Sequence, residues 1–202
     1  MASATTIPNT LLALFQTRTR ATGLVSNIAI VLFGTLFLAI CAKIQVPVWP
    51  VPVTLQGFAV AVIAAAFGLR IGVATVALYL AEGAAGLPVF ATGGGVAYFA
   101  GPTGGFLIGF LAMAAIIGHA ADRGASGRPL ALIGAMLVGN TALLLFGFVW
   151  LVALAGSAKW IDQDNVVASA FAGAIQPFVL WDALKMALAG LTVAGLWQRA
   201  SR

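Results

Sequence analysis

Long apolar runs separated by short polar breaks dominate the chain, and almost every charged residue falls in a break. A helix that crosses a membrane needs roughly 20 mostly apolar residues. Continuous apolar runs without strict alternation favour helices over the strands of a barrel. The runs predict six transmembrane helices, at residues 26–42, 54–68, 71–85, 106–121, 130–156 and 176–197. The second and third are short for a full crossing, so we expect tilt or partial insertion there.

The composition points to the same class of protein. Hydrophobic residues make up 62% of the 202 residues and charged residues 7%, whereas about a quarter of a soluble domain is charged. We therefore predict an all-α integral membrane protein with one six-helix membrane domain at residues 24–198. Residues 1–23 are predicted to be a cytoplasmic segment, and residues 199–202 a cytoplasmic tail. The apolar residues of the first segment are compatible with an interfacial helix: Leu11, Leu12, Leu14 and Phe15.

The positive charges predict the orientation of the six helices. If the N-terminus is cytoplasmic, the inner segments hold seven arginines and the outer segments two lysines, which satisfies the positive-inside rule. The inner residues are Arg18, Arg20, Arg70, Arg123, Arg128, Arg199 and Arg202, and the outer ones are Lys43 and Lys159. Both termini are therefore predicted to be cytoplasmic.

Two of the predicted outer loops have unusual compositions. Residues 44–56, the proline-rich loop, hold prolines at 47, 50 and 52 among apolar residues. Prolines favour an extended chain, and the apolar side chains favour a loop that folds back over the helix ends. Residues 86–105, the glycine-rich loop, contain seven glycines, including Gly93, Gly94, Gly95 and Gly101. Glycine permits close backbone approach and positive φ. Together the loops predict lids over a pocket that opens outward.

Asp182 and Lys185 are the charges that lie inside the last apolar run. Residues three apart lie on one face of a helix, and ionisable residues within a membrane span are rare and usually functional. One interpretation is a structural ion pair that neutralises itself, or a lysine that extends to the membrane surface. The preferred interpretation is a ligand anchor, in which lysine binds an anion and aspartate accepts hydrogen bonds.

Other polar and aromatic residues near the outer side are candidates for the same pocket. Gln56 offers donors and an acceptor that suit a urea or amide ligand, or else it stabilises the start of a helix. Trp49, Phe90 and Tyr98 are candidates to cover an apolar ligand, although aromatic residues are also common at membrane interfaces. Glu82 is as compatible with exposure as with the pocket. Asn140 is more typical of a hydrogen bond between helices than of a ligand contact.

Several classes of function are disfavoured. The segment GPTGG at residues 101–105 lacks the Gly-Lys-Ser/Thr ending of a phosphate-binding loop. His119 is the single histidine and is predicted at the inner side, far from the outer polar groups, so enzyme chemistry is not expected. Cys41 is the single cysteine, which excludes a C-x-x-C metal or redox site. No basic run is long enough for nucleic acid. No metal and no cofactor are predicted.

Five motifs, in order from the first predicted loop to the last helix, resemble the BioY family of biotin transporters. They are PVPVTLQ at 50–56, LYLAEGAAGLPVF at 78–90, GGG at 93–95, GPTGGF at 101–106 and PFVLWDALK at 177–185. BioY proteins are the substrate-binding (S) components of energy-coupling factor (ECF) transporters. The resemblance implies six helices, an outward pocket closed by the two loops, and uptake of biotin across a prokaryotic cell membrane.

The resemblance also implies roles for individual residues. The Asp-x-x-Lys of the family falls on Asp182 and Lys185, and its glutamine after Pro-Val-Thr-Leu falls on Gln56. Biotin carries a ureido group, a thioether bicycle and a valerate carboxylate, and the predicted pocket offers polar groups, aromatic residues including Phe90 and Tyr98, and a lysine. Which end of biotin meets Lys185 stays open.

The resemblance implies partners as well: a membrane T component and a pair of ATPases. S components use small residues on their first helix to dock the T component, and Gly34, Thr35 and Ala39 provide such residues here. Thr35 and Ala39 have the spacing of close helix packing. Packing against another helix of the same chain is the alternative.

Three rival functions remain at this point. The chain could be an S component for another small molecule, a self-sufficient channel or carrier, or an intramembrane enzyme. A capture protein retains its ligand during purification, a channel conducts, and an enzyme would depend on His119.

Overall fold

The structure is a computed structural model that describes Thr10, residues 20–158 and residues 161–200. The predicted interfacial helix with Leu11, Leu12, Leu14 and Phe15 lies outside the described residues. So do residues 201–202 of the predicted tail, whereas Arg199 and Ala200 belong to the last helix.

Six α-helices make up most of the described chain. They are α1 Arg20–Lys43, α2 Gln56–Ala84, α3 Gly104–Asp122, α4 Pro129–Leu154, α5 Val166–Ala174 and α6 Val179–Ala200. Five helical stretches in the described ranges are long and apolar enough to cross a membrane, the last running from Val166 to Ala200 and so including α5 and α6. The predicted helical membrane fold is confirmed.

Helix α2 is a hairpin of two antiparallel legs, residues 56–67 and 69–84. Gly68 has φ 82° and ψ −177°, which is not helical. A Cβ placed on Gly72 would lie 2.9 Å from the Cα of Ala64, although residues eight apart in a straight helix are about 12 Å apart. The legs correspond to the predicted spans 54–68 and 71–85. They are about 18 and 24 Å long, short of the roughly 30 Å core of a bilayer.

The hairpin turn is held by a residue from α3. Asp122 accepts a hydrogen bond from the backbone N–H of Leu69 at 3.2 Å. A side chain at Gly68 would collide with the carboxylate of Asp122, and its positive φ also favours glycine. Ser126 donates to the Ala65 carbonyl at 3.0 Å and fixes the first leg beside the turn.

The small residues of α1 face the hairpin, which corrects the prediction of a docking face. Gly34 is buried, and a Cβ there would lie 2.6 Å from Cγ2 of Thr75. Thr35 is 4% exposed and donates to Glu82 Oε1 at 3.1 Å. Ala39 packs against the core. These residues therefore join α1 to its own chain, while the exposed side of α1 carries large apolar residues such as Leu32, Phe33 and Leu36.

Both lid loops lie at one end of the helices, called here the loop end. The proline-rich loop is a small antiparallel hairpin of β1, Gln45–Val46, and β2, Val53–Thr54. The glycine-rich loop contains a short 3₁₀ helix, Val96–Ala100, before α3 begins. The expectation that the proline-rich loop folds back over the helix ends agrees with Val51, Pro52 and Thr54 lining a cavity between the helices.

Candidate ligand-binding site

A cavity lies at the loop end, walled by the first leg of α2, α3, α4 and α6 and roofed by both loops. Its empty space, counted out through the open mouth, is about 530 Å³, and about 50 Å³ of this can be occupied by the centre of a water-sized sphere. The apolar wall is formed largely by Phe106, Leu107, Phe110, Leu143, Leu144 and Phe178, and the polar residues are Thr54, Gln56, Tyr98, Thr103, Asp182 and Lys185. All five predicted biotin-binding residues line this cavity. Gln56, Tyr98, Asp182 and Lys185 are among its polar residues, and Phe90 lines the roof.

Asp182, which is buried, and Lys185, which is half-buried, form an ion pair in the cavity wall. Lys185 Nζ lies 2.5 Å from Asp182 Oδ1, and the side chains are 13% and 5% exposed. Lys185 also donates to the Thr54 carbonyl at 3.0 Å. Two of its three N–H donors are thus occupied, which leaves one for a ligand. The pair is positioned by its own chain, yet it can still bind a polar group in the cavity.

Gln56 is oriented by two hydrogen bonds. Its Nε2 donates to the Tyr79 hydroxyl at 2.8 Å, and its Oε1 accepts from Thr54 Oγ1 at 3.1 Å. Tyr79 in turn donates to the Val89 carbonyl at 2.9 Å. The amide keeps one N–H and one lone pair for a ligand. Tyr79 is a residue that sequence reasoning missed, although a tyrosine within the apolar run 71–85 was a visible signal.

Tyr79→Phe should lower the free energy of unfolding by about 1–3 kcal/mol, because Gln56 Nε2 and the Val89 carbonyl each lose the hydrogen bond to the Tyr79 hydroxyl. Chemical denaturation in detergent would measure the change. Tyr98→Phe is the matched control, since the Tyr98 hydroxyl only contacts Thr92 in an exposed bond of 3.2 Å. Equal effects of the two substitutions would contradict an orienting role for Tyr79.

The aromatic residues of the glycine-rich loop form the roof. Phe90 is 1% exposed and packs so closely on Gly83 that any side chain there would overlap its ring. The ring centroids of Phe90 and Tyr98 are 4.9 Å apart. Trp49 is 73% exposed and lines a separate crevice between the loops rather than the cavity.

Glycine is required at different positions of this loop for different reasons. Gly95 has φ 95°, which favours glycine. Gly94 is not among the positive-φ glycines, and its constraint is close approach, since a Cβ would overlap the Leu87 carbonyl oxygen. The Gly101 carbonyl accepts a hydrogen bond from Trp150 Nε1 at 2.8 Å, which fixes the end of the loop to α4.

Two polar contacts tie the glycine-rich loop to the end of α1 and to β1 of the proline-rich loop. Lys43 Nζ donates to the Phe90 carbonyl at 2.6 Å, and Gln45 Nε2 donates to the Ala91 carbonyl at 3.3 Å. The roof is therefore held from the side of α1 as well as from α4.

Comparison with known proteins decides the family. The family model described as BioY matches residues 11–202. The chain belongs to the BioY family. A probable biotin transporter BioY of Pyrococcus horikoshii is 34% identical over 149 residues, which cover 73% of this chain and 82% of that protein. The biotin transporter BioY of Rhodobacter capsulatus is 37% identical over 175 residues, 83% of this chain and 90% of the relative.

A solved structure shows the same fold. The S-component for biotin from an ECF-type ABC transporter superposes with a TM-score of 0.74 at 24% identity, over 90% of this chain and 95% of that one. Family membership confirms the resemblance seen in the motifs. It also confirms that the protein is not an enzyme, because the BioY relatives are named as transporters.

Proposed function

We propose that the protein is the biotin-capture subunit of an ATP-driven ECF importer and that it binds biotin with high affinity in the cavity under the loops. The observation that carries this proposal is the composition of the cavity. A half-buried lysine paired with a buried aspartate, an oriented glutamine and an aromatic roof surround one space. The names of the relatives support biotin as the ligand.

The cavity offers partners for every part of biotin. The ureido group has two N–H donors and a carbonyl, which suit the Asp182 carboxylate and the Gln56 amide. The bicycle and the aliphatic chain suit the apolar wall, including Phe106 and Phe178. The carboxylate of biotin, like the ureido carbonyl, is an acceptor for the remaining N–H of Lys185.

We propose further that the loops act as lids and that transport requires partners. Phe90 and Tyr98 cover the cavity, and the bonds from Lys43 and Gln45 hold the roof closed. The sequence has no phosphate-binding loop that ends in Gly-Lys-Ser/Thr, so a T component and a pair of ATP-binding-cassette ATPases would supply the energy. No cofactor takes part. The positive-inside pattern supports cytoplasmic termini in a prokaryotic cell membrane.

Uptake of labelled biotin tests this function against its rivals. Cells that express the chain with a T component and ATPases should accumulate biotin, and ATPases inactivated in their nucleotide site should abolish accumulation. Competition by an excess of unlabelled biotin, but not by other vitamins, would separate biotin from the other ligands that an S component could carry. Accumulation by the chain alone, with loss on collapse of ion gradients, would instead show a self-sufficient carrier.

A further inference from the structure

Helix α4 holds a buried amide that none of the interactions above explains. Asn140 is 6% exposed, and its Oδ1 has no hydrogen-bond partner. In the described part of the chain, the Gln45 Oε1 atom is the other buried side-chain atom in this state, but Gln45 is only half-buried and bonds Ala91 through its nitrogen. The unpaired oxygen of Asn140, inside a membrane span, therefore costs more free energy of folding than the unpaired oxygen of Gln45.

The unpartnered atom of the Asn140 amide is its oxygen, which is an acceptor. Asparagine oxygen and nitrogen are distinguished by their hydrogen bonds rather than by their shape. In the described part of the chain, no donor lies at hydrogen-bond distance from Asn140 Oδ1. A polar partner for Asn140 has to come from elsewhere.

The register of α4 places Asn140 directly below the cavity. Leu143 and Leu144 line the cavity, and residues three and four apart lie on one helix face. Asn140 is thus one turn, about 5 Å, deeper on the same face. Met136, one turn deeper still, is fully buried. Asn140 is the polar position between the cavity wall and the apolar core.

The chemistry of the amide indicates which part of a ligand it would bind. An amide presents a donor beside an acceptor, and the ureido group of biotin presents an N–H beside a carbonyl, so the two can pair. The carboxylate has no donor when ionised, and burying it next to a neutral amide would be costly. We propose that Asn140 hydrogen-bonds the ureido group of the bound ligand, and thereby determines specificity at the floor of the cavity; this rests on the proposed function.

Asn140 is not among the residues that line the cavity, so binding in this way requires the side chains above it to move. Leu143 and Leu144 line the cavity one turn above Asn140, so a change of their rotamers is the movement that the proposal requires. Asp182 and Gln56 keep their roles, since a ureido group has two N–H donors and two lone pairs and can serve several partners.

The test is a cycle that combines a protein change with two ligand changes. Asn140→Leu removes the amide at similar size, and Thr141→Val is the control on the same helix, because Thr141 is exposed and bonds the Leu137 carbonyl of its own helix. Purified variants would be titrated with biotin, with 2-thiobiotin, in which sulfur replaces the ureido oxygen, and with biocytin, which is altered at the carboxyl end.

We expect Asn140→Leu to weaken biotin binding about tenfold, the loss of one to two buried hydrogen bonds, while Thr141→Val leaves it unchanged. We expect 2-thiobiotin to bind the wild-type protein more weakly than biotin does. The ratio of the two Kd values should be at least about threefold smaller in Asn140→Leu, because the effects of changing two groups in contact are not additive. The ratio of the Kd values for biocytin and biotin should be the same in the wild-type protein and in Asn140→Leu. Thermal unfolding without ligand should show no loss of stability.

Unchanged biotin affinity in Asn140→Leu would overturn the inference, as would an equal ratio of the Kd values for 2-thiobiotin and biotin in both proteins. If Asn140→Leu does not fold, Asn140→Ala takes its place under the same criteria. Failure of the wild-type protein to bind biotin at all would instead refute the proposed function, and the inference with it.

Discussion

Lys185→Met is expected to weaken biotin binding at least about tenfold. A hydrogen bond to a charged group contributes about 1.5–3 kcal/mol, and each 1.4 kcal/mol is about tenfold in affinity. The substitution removes the N–H that remains free for the ligand and leaves the Asp182 carboxylate, 2.5 Å away in the native pair, without its cation. Asp182→Asn should have an effect of the same order, because it removes the negative acceptor. Equilibrium titration of purified variants would measure both.

Thr192→Val is the matched control for these variants. Thr192 lies on the same helix, is exposed, and bonds the Leu188 carbonyl of α6, so biotin affinity should be unchanged. Wild-type affinity in both Lys185→Met and Asp182→Asn, together with lower thermal stability, would show instead that the pair only stabilises the fold.

Gly94→Val is expected to accelerate biotin dissociation about tenfold while association changes little, as is usual when contacts that retain a ligand are lost. The added side chain would overlap the Leu87 carbonyl and push the glycine-rich loop outward. That loop carries Phe90 and Tyr98 over the cavity. Stopped-flow or surface-binding kinetics would separate the two rate constants.

Gly101→Ala provides the control within the same loop. Its Cβ would lie 3.2 Å from the Tyr98 carbonyl oxygen, a contact that a small shift relieves, so its dissociation rate should change much less. Identical dissociation rates in wild type and Gly94→Val would leave the loop a passive connection rather than a lid.

Local patterns were sufficient to predict the spans and the central pair. The apolar runs correspond to the helices, and the legs of α2 match two predicted spans because Gly68 and the charge of Arg70 interrupt the run. The three-residue spacing of Asp182 and Lys185 was enough to place them side by side. The further partner of Lys185, the Thr54 carbonyl, lies 131 residues away in sequence, and no local pattern indicates it.

Contacts between distant segments account for what the sequence could not predict. The role of Tyr79 depends on the two legs of α2 lying side by side, which brings it to Gln56. The small residues of α1 have a spacing that fits any close helix partner. The structure assigns Gly34 to Thr75 and Thr35 to Glu82, which also gives Glu82 a partner outside the cavity.

Isothermal titration of the folded, detergent-solubilised protein with biotin tests the central claim most directly. We predict saturable binding of one biotin per chain with a Kd below about 1 μM, equivalent to a binding free energy stronger than about −8 kcal/mol. Lys185→Met should lose most of that signal under the same conditions. A folded wild-type protein that shows no saturable heat with biotin would contradict the assignment of biotin to this cavity.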